Sequence, residues 1–376
     1  MAGVYIHIPF CKKKCDYCNF FSVTTLKNSD ALNDAICLEI AARNSYLAGE
    51  TVNTIYFGGG TPSLLTIWQV ENILKSVYDN FKIAGNAEIT FEINPDDITA
   101  SFMNQLIGLG VNRISIGVQS FFDIDLNYLG RSHTAGQAMT SLNLAKDSGM
   151  GNVSADLIFG IPTLTSESWV KNIEILQNIN IQHISAYALT VEERTVLEYK
   201  LRKLKMPPPA EENYISQYKV LKDLTSQNGY MHYEISNFAK EGFLSRHNSA
   251  YWKGEAYIGI GPSAHSYNGI SRQWNISRVD AYITTAKKGE FSFEKEELTL
   301  TQKYNEYVLT GLRTMWGCNV SIIEEKFGQN YASFFTESLK KHIENASIIR
   351  KDNTYILSNE GELLADAITA DLFIDE

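Results

Sequence analysis

The sequence predicts an α/β protein: a parallel sheet curled into a partial (β/α)6 barrel of the TIM type, followed by a small helical domain. Six short runs with strand character alternate with helical patterns through the first half of the chain, which is typical of a parallel sheet with right-handed crossovers. Polar or glycine-rich residues follow strand after strand, as at the active-site end of a β/α barrel. No G-x-G-x-x-G pattern follows the first strand, so a dinucleotide-binding sheet has no local support.

The six predicted strands all lie before residue 190, and helices separate them. The strands are Val4–Ile8, Val52–Phe57, Glu88–Ile93, Arg113–Val118, Val153–Phe159 and His183–Ala188. The helices span about 30–46, 66–81, 100–108, 135–148 and 166–178. The groups expected at the strand ends are Cys11–Cys18, Gly58–Thr61, Glu92, Gln119 and Asp156.

The remainder of the chain divides into two further parts. Three consecutive prolines, 207–209, predict a break before a helix over 211–226, and residues 230–274 are predicted to be mostly loop. Helices over 302–315, 322–327 and 331–345, then a strand over 348–357, predict a small winged-helix-like domain. We therefore expect a barrel with the cysteine loop at 1–235, an aromatic and glycine-rich extension at 236–295, and the helical domain at 296–376.

Composition limits the classes of function. The net charge is −10, which argues against a broad nucleic-acid surface because such a surface needs a basic face. No window reaches the ~18–20 apolar residues of a membrane span, and the first residues lack the pattern of a signal peptide. The sequence thus predicts a cytoplasmic protein with reduced thiols, no transmembrane segment and no nucleic-acid partner.

Three cysteines, Cys11, Cys15 and Cys18, lie within eight residues directly after the first predicted strand. Such spacing favours metal binding over disulfides. Structural zinc normally takes four protein ligands, whereas three thiolates on a 4Fe–4S cluster leave one iron open. A zinc site or unconnected thiols are the alternatives. The two other cysteines, Cys37 and Cys318, are predicted to pack in the interior.

The spacing C-x3-C-x2-C resembles the signature of the radical S-adenosylmethionine (SAM) superfamily. In that superfamily the open iron binds the methionyl end of SAM, and reductive cleavage of SAM gives a 5′-deoxyadenosyl radical. The resemblance implies the same capacity here.

Further candidate residues follow the other strands. Gly58, Gly59 and Gly60 with Thr61 allow a ligand to approach the backbone closely. No Lys-Ser/Thr pair follows them, so the run is not a phosphate loop. A tight turn is the alternative. The remaining polar residues, each of them either a ligand contact or a structural polar group, are Glu92, Gln119, Arg131 and Asp156.

The stretch His247-Asn-Ser-Ala-Tyr-Trp252 combines a histidine with two large aromatic residues. It could supply an axial ligand and aromatic walls for a flat macrocycle. Residue types alone favour a structural histidine beside core aromatics.

Together the motifs resemble the oxygen-independent coproporphyrinogen III oxidase family over nearly the whole chain. They are Tyr5-x-His-Ile-Pro-Phe-Cys-x3-Cys-x2-Cys, Gly-Gly-Gly-Thr-Pro, Gly-Val-Gln-Ser-Phe, Asp156-Leu-Ile-x-Gly-Ile-Pro and Gly-Ile-Gly-Pro-Ser-Ala-His-Ser. The oxidase branch carries a fourth cysteine two residues after the third and an extension before its first strand. Here Asn19-Phe20 follow Cys18, and the first strand begins near Val4. Both departures match the heme-chaperone branch, HemW, whose H-N-x-x-Y-W motif stands here at 247–252.

The resemblance implies three ligand sets. Cys11, Cys15 and Cys18 would hold the 4Fe–4S cluster. SAM contacts would come from Tyr5, Tyr17, Gly59, Gly60, Thr61 and Glu92, with Gln119, Arg131 and Asp156 lining the same cavity. Heme would be bound by His247, Asn248, Tyr251 and Trp252.

The function implied is a heme chaperone that holds a cluster and SAM and passes heme to acceptor hemoproteins, with membrane respiratory enzymes as one class of acceptor. No catalytic residue is assigned, and whether the protein is an enzyme stays open. The first alternative is oxidative decarboxylation of coproporphyrinogen III to protoporphyrinogen IX in porphyrin biosynthesis. The second is a radical SAM enzyme with another substrate.

Overall fold

A computed structural model describes residues 2–375, and its largest element is a twelve-stranded mixed sheet flanked by helices. The first half contains β1 (Ala2–Ile8), α1 (Ser29–Ala42), β2 (Val52–Gly59), a 3-10 turn (Pro62–Leu64), α2 (Ile67–Asn80), β3 (Ile83–Ile93), α3 (Ala100–Gly108), β4 (Arg113–Gln119), α4 (Asp123–Tyr128), α5 (Ala135–Asp147), β5 (Val153–Phe159), α6 (Ser166–Asn178) and β6 (His183–Ala188). The second half contains α7 (Val196–Leu204), α8 (Glu211–Gln227), β7 (Met231–Glu234), β8 (Asn237–Ala239), α9 (Arg246–Trp252), β9 (Ala256–Ile260), β10 (His265–Tyr267), β11 (Ser271–Asn275), α10 (Val279–Ala286), β12 (Phe293–Glu297), α11 (Leu300–Leu312), β13 (Cys318–Asn319), α12 (Val320–Phe327), α13 (Gln329–Glu344), β14 (Ile348–Lys351), β15 (Thr354–Leu357), α14 (Asn359–Glu362) and α15 (Ala365–Asp371).

The sheet confirms the six predicted parallel strands and adds others at both edges. Its order is β12-β11-β10-β9-β1-β2-β3-β4-β5-β6-β8-β7. The pairs from β9 through β6 are parallel, whereas β8 and β7 at one edge and β10 to β12 at the other pair antiparallel.

The prediction that residues 230–274 are mostly loop is wrong. That segment forms β7, β8, α9, β9, β10 and β11. Its strands are only three to five residues long, too short for an alternating pattern to be recognised. They form because β9 pairs with β1 and β8 pairs with β6, which are contacts between segments distant in sequence.

Side chains on the two faces of the barrel strands differ sharply in polarity. Successive side chains of a strand point to opposite faces, and in β1 the residues Val4, Ile6 and Ile8 pack fully buried in the main core with the flanking helices. The opposite face carries polar or small side chains on strand after strand. These are Gly3, Tyr5, His7, Thr54, Tyr56, Gly58, Glu88, Thr90, Glu92, Arg113, Ser115, Ser154, Asp156, His183 and Ser185. Most TIM barrels fill this space with branched aliphatic residues, so a polar interior is suited to holding ligands.

The C-terminal segment packs around a core of its own. Residues of α11, α13, β15 and α15 meet there, among them Tyr304, Val308, Phe335 and Ile368. A three-stranded sheet of order β13-β15-β14 belongs to this segment, so the strand predicted over 348–357 is a hairpin. Three helices confirm the predicted ones, while the winged-helix assignment remains a prediction.

Two backbone hydrogen bonds join the C-terminal segment to the barrel edge. Met315 N donates to Tyr233 O at 3.0 Å, and Ile235 N donates to Arg313 O at 3.1 Å. Across residues 2–375, no helix combines the length and apolar character needed to cross a bilayer.

Candidate functional site

Backbone hydrogen bonds close the base of the cysteine loop. Cys11 N donates to Val23 O at 3.0 Å, and Val23 N donates to Pro9 O at 2.7 Å. Within the loop Cys18 N donates to Cys15 O at 3.2 Å. All three loop cysteines are free and half-buried, so their thiols are held near the carboxyl end of β1 and remain accessible to a ligand.

Polar side chains from two neighbouring loops reach two of the thiols. Thr61 Oγ1 donates to Cys11 Sγ at 3.6 Å. Arg131 donates from one guanidinium nitrogen to Cys15 Sγ at 3.4 Å and to the Tyr17 hydroxyl at 3.5 Å. The thiolate is the form of cysteine that binds metal. Burial raises the pKa of the third thiol, Cys18.

Arg131 is fixed from the opposite side by two oxygens. Its second terminal nitrogen donates to Asn94 Oδ1 and to Gly117 O, both at 2.9 Å, while its buried Nε has no partner. Gln119 is the last residue of β4 and adopts the left-handed region at φ 65°. A Cβ added to Gly117 would lie 3.0 Å from the side-chain nitrogen Nε2 of Gln119. The predicted residues Gln119 and Arg131 therefore lie together.

Sequence reasoning missed Asn94, which links two predicted residues. It accepts from Arg131 and donates to Thr61 Oγ1 at 3.3 Å. Its position directly after β3 and before Pro95 is a signal that could have identified it, because polar residues that follow barrel strands meet at the active-site end.

Glu92 lies in the barrel interior with two donors. It accepts from the Tyr56 hydroxyl at 2.7 Å and from Gly59 N at 3.3 Å. Burial raises its pKa to about 7, and the nearby Asp156 carboxylate adds to the rise, against the lowering effect of the Tyr56 hydrogen bond. Tyr56 was also missed, although it shares a strand face with Gly58.

Asp156 lies on a neighbouring strand and accepts from Ser115 Oγ at 3.0 Å. Burial raises its pKa as well. Glu92 and Asp156 thus form a pair of half-buried carboxyl groups in the same interior.

Tyr5 and His7 fix the wall beside the glycine run. His7 Nε2 donates to Phe21 O at 3.1 Å, so Nδ1 is the acceptor for the Tyr5 hydroxyl at 3.1 Å. Burial lowers the pKa of His7 to about 4, so the ring is neutral. A Cβ on Gly59, whose φ is +112°, would lie 2.6 Å from the His7 ring, and one on Gly60 would lie 2.6 Å from Phe10 O. Both glycines are required by this close packing.

The donor set at this end of the barrel fits an iron–sulfur cluster with SAM beside it. Three free thiols, a glycine backbone edge, two carboxyl groups and an Arg131 Nε without a partner surround one region. In the described part of the chain, no three His, Cys, Asp or Glu side chains converge on a point where a single ion could bind. Thiolates of a cubane cluster bind different irons, so they need not converge.

The H-N-x-x-Y-W motif forms α9, which lies across the amino ends of β1, β2 and β3. The Glu88 carboxylate accepts from Arg246 N at 3.0 Å and from His247 N at 3.1 Å. A Cβ on Gly3 would lie 3.3 Å from the His247 ring. The motif is therefore at the opposite end of the barrel strands from the cysteine loop.

His247 is enclosed, with both ring nitrogens hydrogen-bonded. Its side chain is 2% exposed, Nδ1 contacts Thr54 Oγ1 at 2.8 Å and Nε2 contacts the Tyr251 hydroxyl at 3.0 Å. Burial, and next the positive charge of Arg113, lower its pKa to about 3. The imidazole is neutral, and an iron could reach Nε2 only after the Tyr251 hydroxyl had moved away.

The other three motif residues, Asn248, Tyr251 and Trp252, line a cavity of about 1220 Å³. The cavity lies between the barrel edge and the C-terminal segment, because its walls also include Tyr187 of β6, Tyr257 of β9 and residues of α11 and α12. The structure therefore brings Asn248, Tyr251 and Trp252 to one surface and places His247 behind it.

Stacked rings in the barrel interior connect the two groups of predicted residues. His247 stacks on Tyr56 with ring centroids 4.9 Å apart and on Tyr5 at 6.3 Å. Both tyrosines belong to the wall around Glu92 and His7. Arg113 lies in the same interior, 1% exposed, and its Nε has no partner.

Comparisons with known proteins agree on the relatives of this chain. The model of the radical SAM superfamily matches residues 5–176. The heme chaperone HemW of Bacillus subtilis is 33% identical over 98% of this chain and 98% of its own length. HemW of Lactococcus lactis is 32% identical over 100% of this chain and 98% of its own length.

Among solved structures, the radical SAM enzyme coproporphyrinogen III oxidase (HemN) from Escherichia coli superposes with a TM-score of 0.85. The superposition covers 99% of this chain and 90% of the oxidase at 23% identity. At that identity the likeness shows a shared fold.

Proposed function

This chain belongs to the HemW family within the radical SAM superfamily, and we propose that it is a heme chaperone that binds a 4Fe–4S cluster, SAM and heme. Heme bound at the H-N-x-x-Y-W motif would be transferred to acceptor hemoproteins. We further propose that the chain has three parts, with boundaries at residues 235 and 295, and that the protein is located in the cytoplasm.

Cys11, Cys15 and Cys18 would hold the cluster, and the residues around them would orient SAM. The cluster, when bound, supplies one-electron reduction of SAM. The edge formed by Gly59 and Gly60 would accept the amino group, and the Glu92 carboxylate would accept from hydroxyl or ammonium donors. Arg131 would hold Cys15 and Tyr17 in place through the contacts at 3.4 Å and 3.5 Å.

One observation carries the assignment of heme: α9 places Tyr251 and Trp252 on the wall of a cavity of about 1220 Å³. Ligand pockets are typically ~300–1,000 Å³, so this one is large enough for a macrocycle. The oxidase alternative has weaker support, because the position of the fourth cysteine carries Phe20, 66% exposed.

The experiment is an anaerobic hemin titration of cluster-reconstituted protein, comparing the wild type, His247→Ala and His265→Ala. We expect saturable binding with a shifted Soret band, lost or weakened by about tenfold or more in His247→Ala. His265 does not line the cavity, so His265→Ala serves as a matched control. Absent binding in the wild type, or equal binding in His247→Ala, would contradict the proposal.

Transfer is tested by adding apomyoglobin as a heme trap to the loaded protein. A chaperone should give up its heme to the trap. In parallel, the cluster-loaded protein is incubated with coproporphyrinogen III, reductant and SAM. Formation of protoporphyrinogen IX would support the oxidase alternative instead.

A further inference from the structure

The cavity beside α9 has two walls that come from separately packed parts of the chain. Tyr251, Trp252 and Tyr257 form the wall on the barrel side, and Tyr307, Trp316 and Phe327 form the wall on the C-terminal side. Two of the five tryptophans in the chain thus face one space. Aromatic walls on both sides suit a flat, apolar ring system because rings favour stacked contacts.

The charge on the cavity wall is opposite to the charge of the whole protein. Five cationic side chains and two carboxylates line it, although the net charge of the chain is −10. Glu306 is already paired with Arg272 at 2.7 Å, and this pair joins β11 to α11. Lys303 and Lys326 make no ion pair with any residue between 2 and 375. A ligand that combines a planar ring system with carboxylates would match both properties.

Such a ligand would contact the H-N-x-x-Y-W motif through Tyr251. Both ring nitrogens of His247 are occupied, one of them by the Tyr251 hydroxyl, and His247 is not on the cavity wall. Its stacking on Tyr56 and its contact with Thr54 hold the ring in place. His247 would therefore act as a positioning residue that holds Tyr251.

We propose that this cavity is the tetrapyrrole site, in which the macrocycle lies between the Trp252 and Trp316 walls, its carboxylates are bound by Lys303, and His247 acts through Tyr251. The inference rests on the proposed function and goes further by assigning half of the site to the C-terminal segment. It requires no bond to iron, so a metal-free porphyrin should bind as well.

The first test measures binding of metal-free protoporphyrin IX and of its dimethyl ester by tryptophan fluorescence quenching, with hemin binding followed optically. Lys303→Glu should weaken binding of the dicarboxylate by about tenfold or more, because the substituted side chain repels carboxylates. The dimethyl ester carries no such charge, so its binding should be unaffected. Trp316→Ala should weaken binding of both. The matched controls are Lys219→Glu on α8 and Trp68→Ala on α2, since neither residue lines the cavity.

The outcomes separate the two proposals. If the wild type binds hemin but Lys303→Glu and Trp316→Ala bind all three ligands like their controls, this site assignment is overturned and the heme-chaperone proposal stands. If the wild type binds neither hemin nor porphyrin, the proposed function itself fails. Because Lys303 is in contact with solvent, its substitution is not expected to impair folding.

The second test is a double-mutant cycle with His247→Gln and Tyr251→Phe, read from hemin affinity and from the Soret spectrum. If His247 acts through Tyr251, the two effects should be non-additive and the double variant no weaker than the worse single variant. A Soret change in His247→Gln that Tyr251→Phe lacks would identify His247 as the contacting residue and overturn its positioning role.

Discussion

Two regions of the molecule are built differently. The candidate cluster and SAM residues lie at the carboxyl ends of β1 to β5 and are held by one continuous sheet. The walls of the cavity beside α9 come from two separately packed parts of the chain. The first region is fixed by strand register: Ile8 is paired with Gly59, so the cysteine loop and the glycine run lie side by side. The second region draws on residues from Tyr187 to Phe327. Its shape depends on how the C-terminal segment packs, so changes in that packing should affect heme binding before they affect the cluster.

The largest expected effect is the loss of the cluster in Cys15→Ser. Removing one of three thiolates should abolish the visible absorption and the bound iron and sulfide, because a serine hydroxyl is a poor iron ligand. Cys37→Ser is the matched control, since Cys37 belongs to α1 and packs against the main core. Cluster retained at wild-type level in Cys15→Ser would contradict the assignment.

Cys15→Ser also tests whether the two regions are independent. We expect metal-free protoporphyrin IX to bind Cys15→Ser as it binds the wild type, because the cavity shares no residue with the cysteine loop. Loss of porphyrin binding in this variant would show that the two regions are coupled through the barrel interior.

The next largest effect is expected from Glu39→Ala, which breaks a buried network under β9 to β11. Glu39 accepts from Arg43 at 2.7 Å, Asn275 at 2.7 Å, Tyr282 at 2.5 Å and Gly261 N at 2.9 Å. Leaving the buried Arg43 guanidinium without its carboxylate partner should lower the free energy of unfolding by about 3–5 kcal/mol.

Chemical denaturation measures this cost, and Lys75→Ala, which removes an exposed pair with Asp79, is the control with little expected effect. Because the network supports the strands next to the cavity, porphyrin affinity should fall along with stability. A stability equal to that of the control would show that the network contributes nothing.

The third effect concerns the pH dependence of SAM binding. The pKa of Glu92 is raised to about 7, so the free protein loses the carboxylate as the pH falls through 7, and its affinity for a ligand with hydroxyl or ammonium donors should fall with it. Glu92→Gln should bind SAM about ten- to a hundredfold more weakly and show no titration in this range. Calorimetry across the pH range measures both, and a titration that persists in Glu92→Gln would assign it to another group.

The same raised pKa has a consequence for stability. A carboxyl group with a higher pKa in the folded state favours folding most below its unfolded pKa, and that contribution is lost as the pH rises to about 7. In the absence of ligand, the wild type should therefore lose stability between pH 5 and pH 7, whereas Glu92→Gln should not. Chemical denaturation below pH 5 and above pH 7 measures the difference in free energy of unfolding between the two proteins, and this difference should shift in favour of Glu92→Gln at the higher pH.

The smallest effect separates the stabilities of the two cores. Thr299 and Thr134 each form a capping box, at the start of α11 and α5, and replacing either by Ala should cost about 1 kcal/mol. Amide hydrogen exchange should show faster opening near α11 in Thr299→Ala and near α5 in Thr134→Ala. Equal acceleration throughout the protein in both variants would indicate that the two cores unfold together.

Local sequence patterns are enough to predict the barrel and the end of it that carries the cysteine loop. Alternating apolar residues in β1 to β6 predict strands because one face of each strand is buried against helices, and the three cysteines lie in one short loop. Parallel pairing then brings the strand ends to a common edge, so Gly59, Glu92 and Gln119 could be predicted as neighbours of that loop. These are consequences of local pattern and a regular register.

The cavity beside α9, in contrast, could not be predicted from local sequence patterns. The strands β8 and β9 are too short to be recognised alone and exist because β6 and β1 offer them edges. The burial of His247 depends on Thr54 and Tyr56, which lie outside the motif. The cavity depends on Trp316 and Lys303, which belong to the C-terminal segment. Contacts of this kind arise from packing between segments distant in sequence, and no local pattern encodes which surfaces will meet.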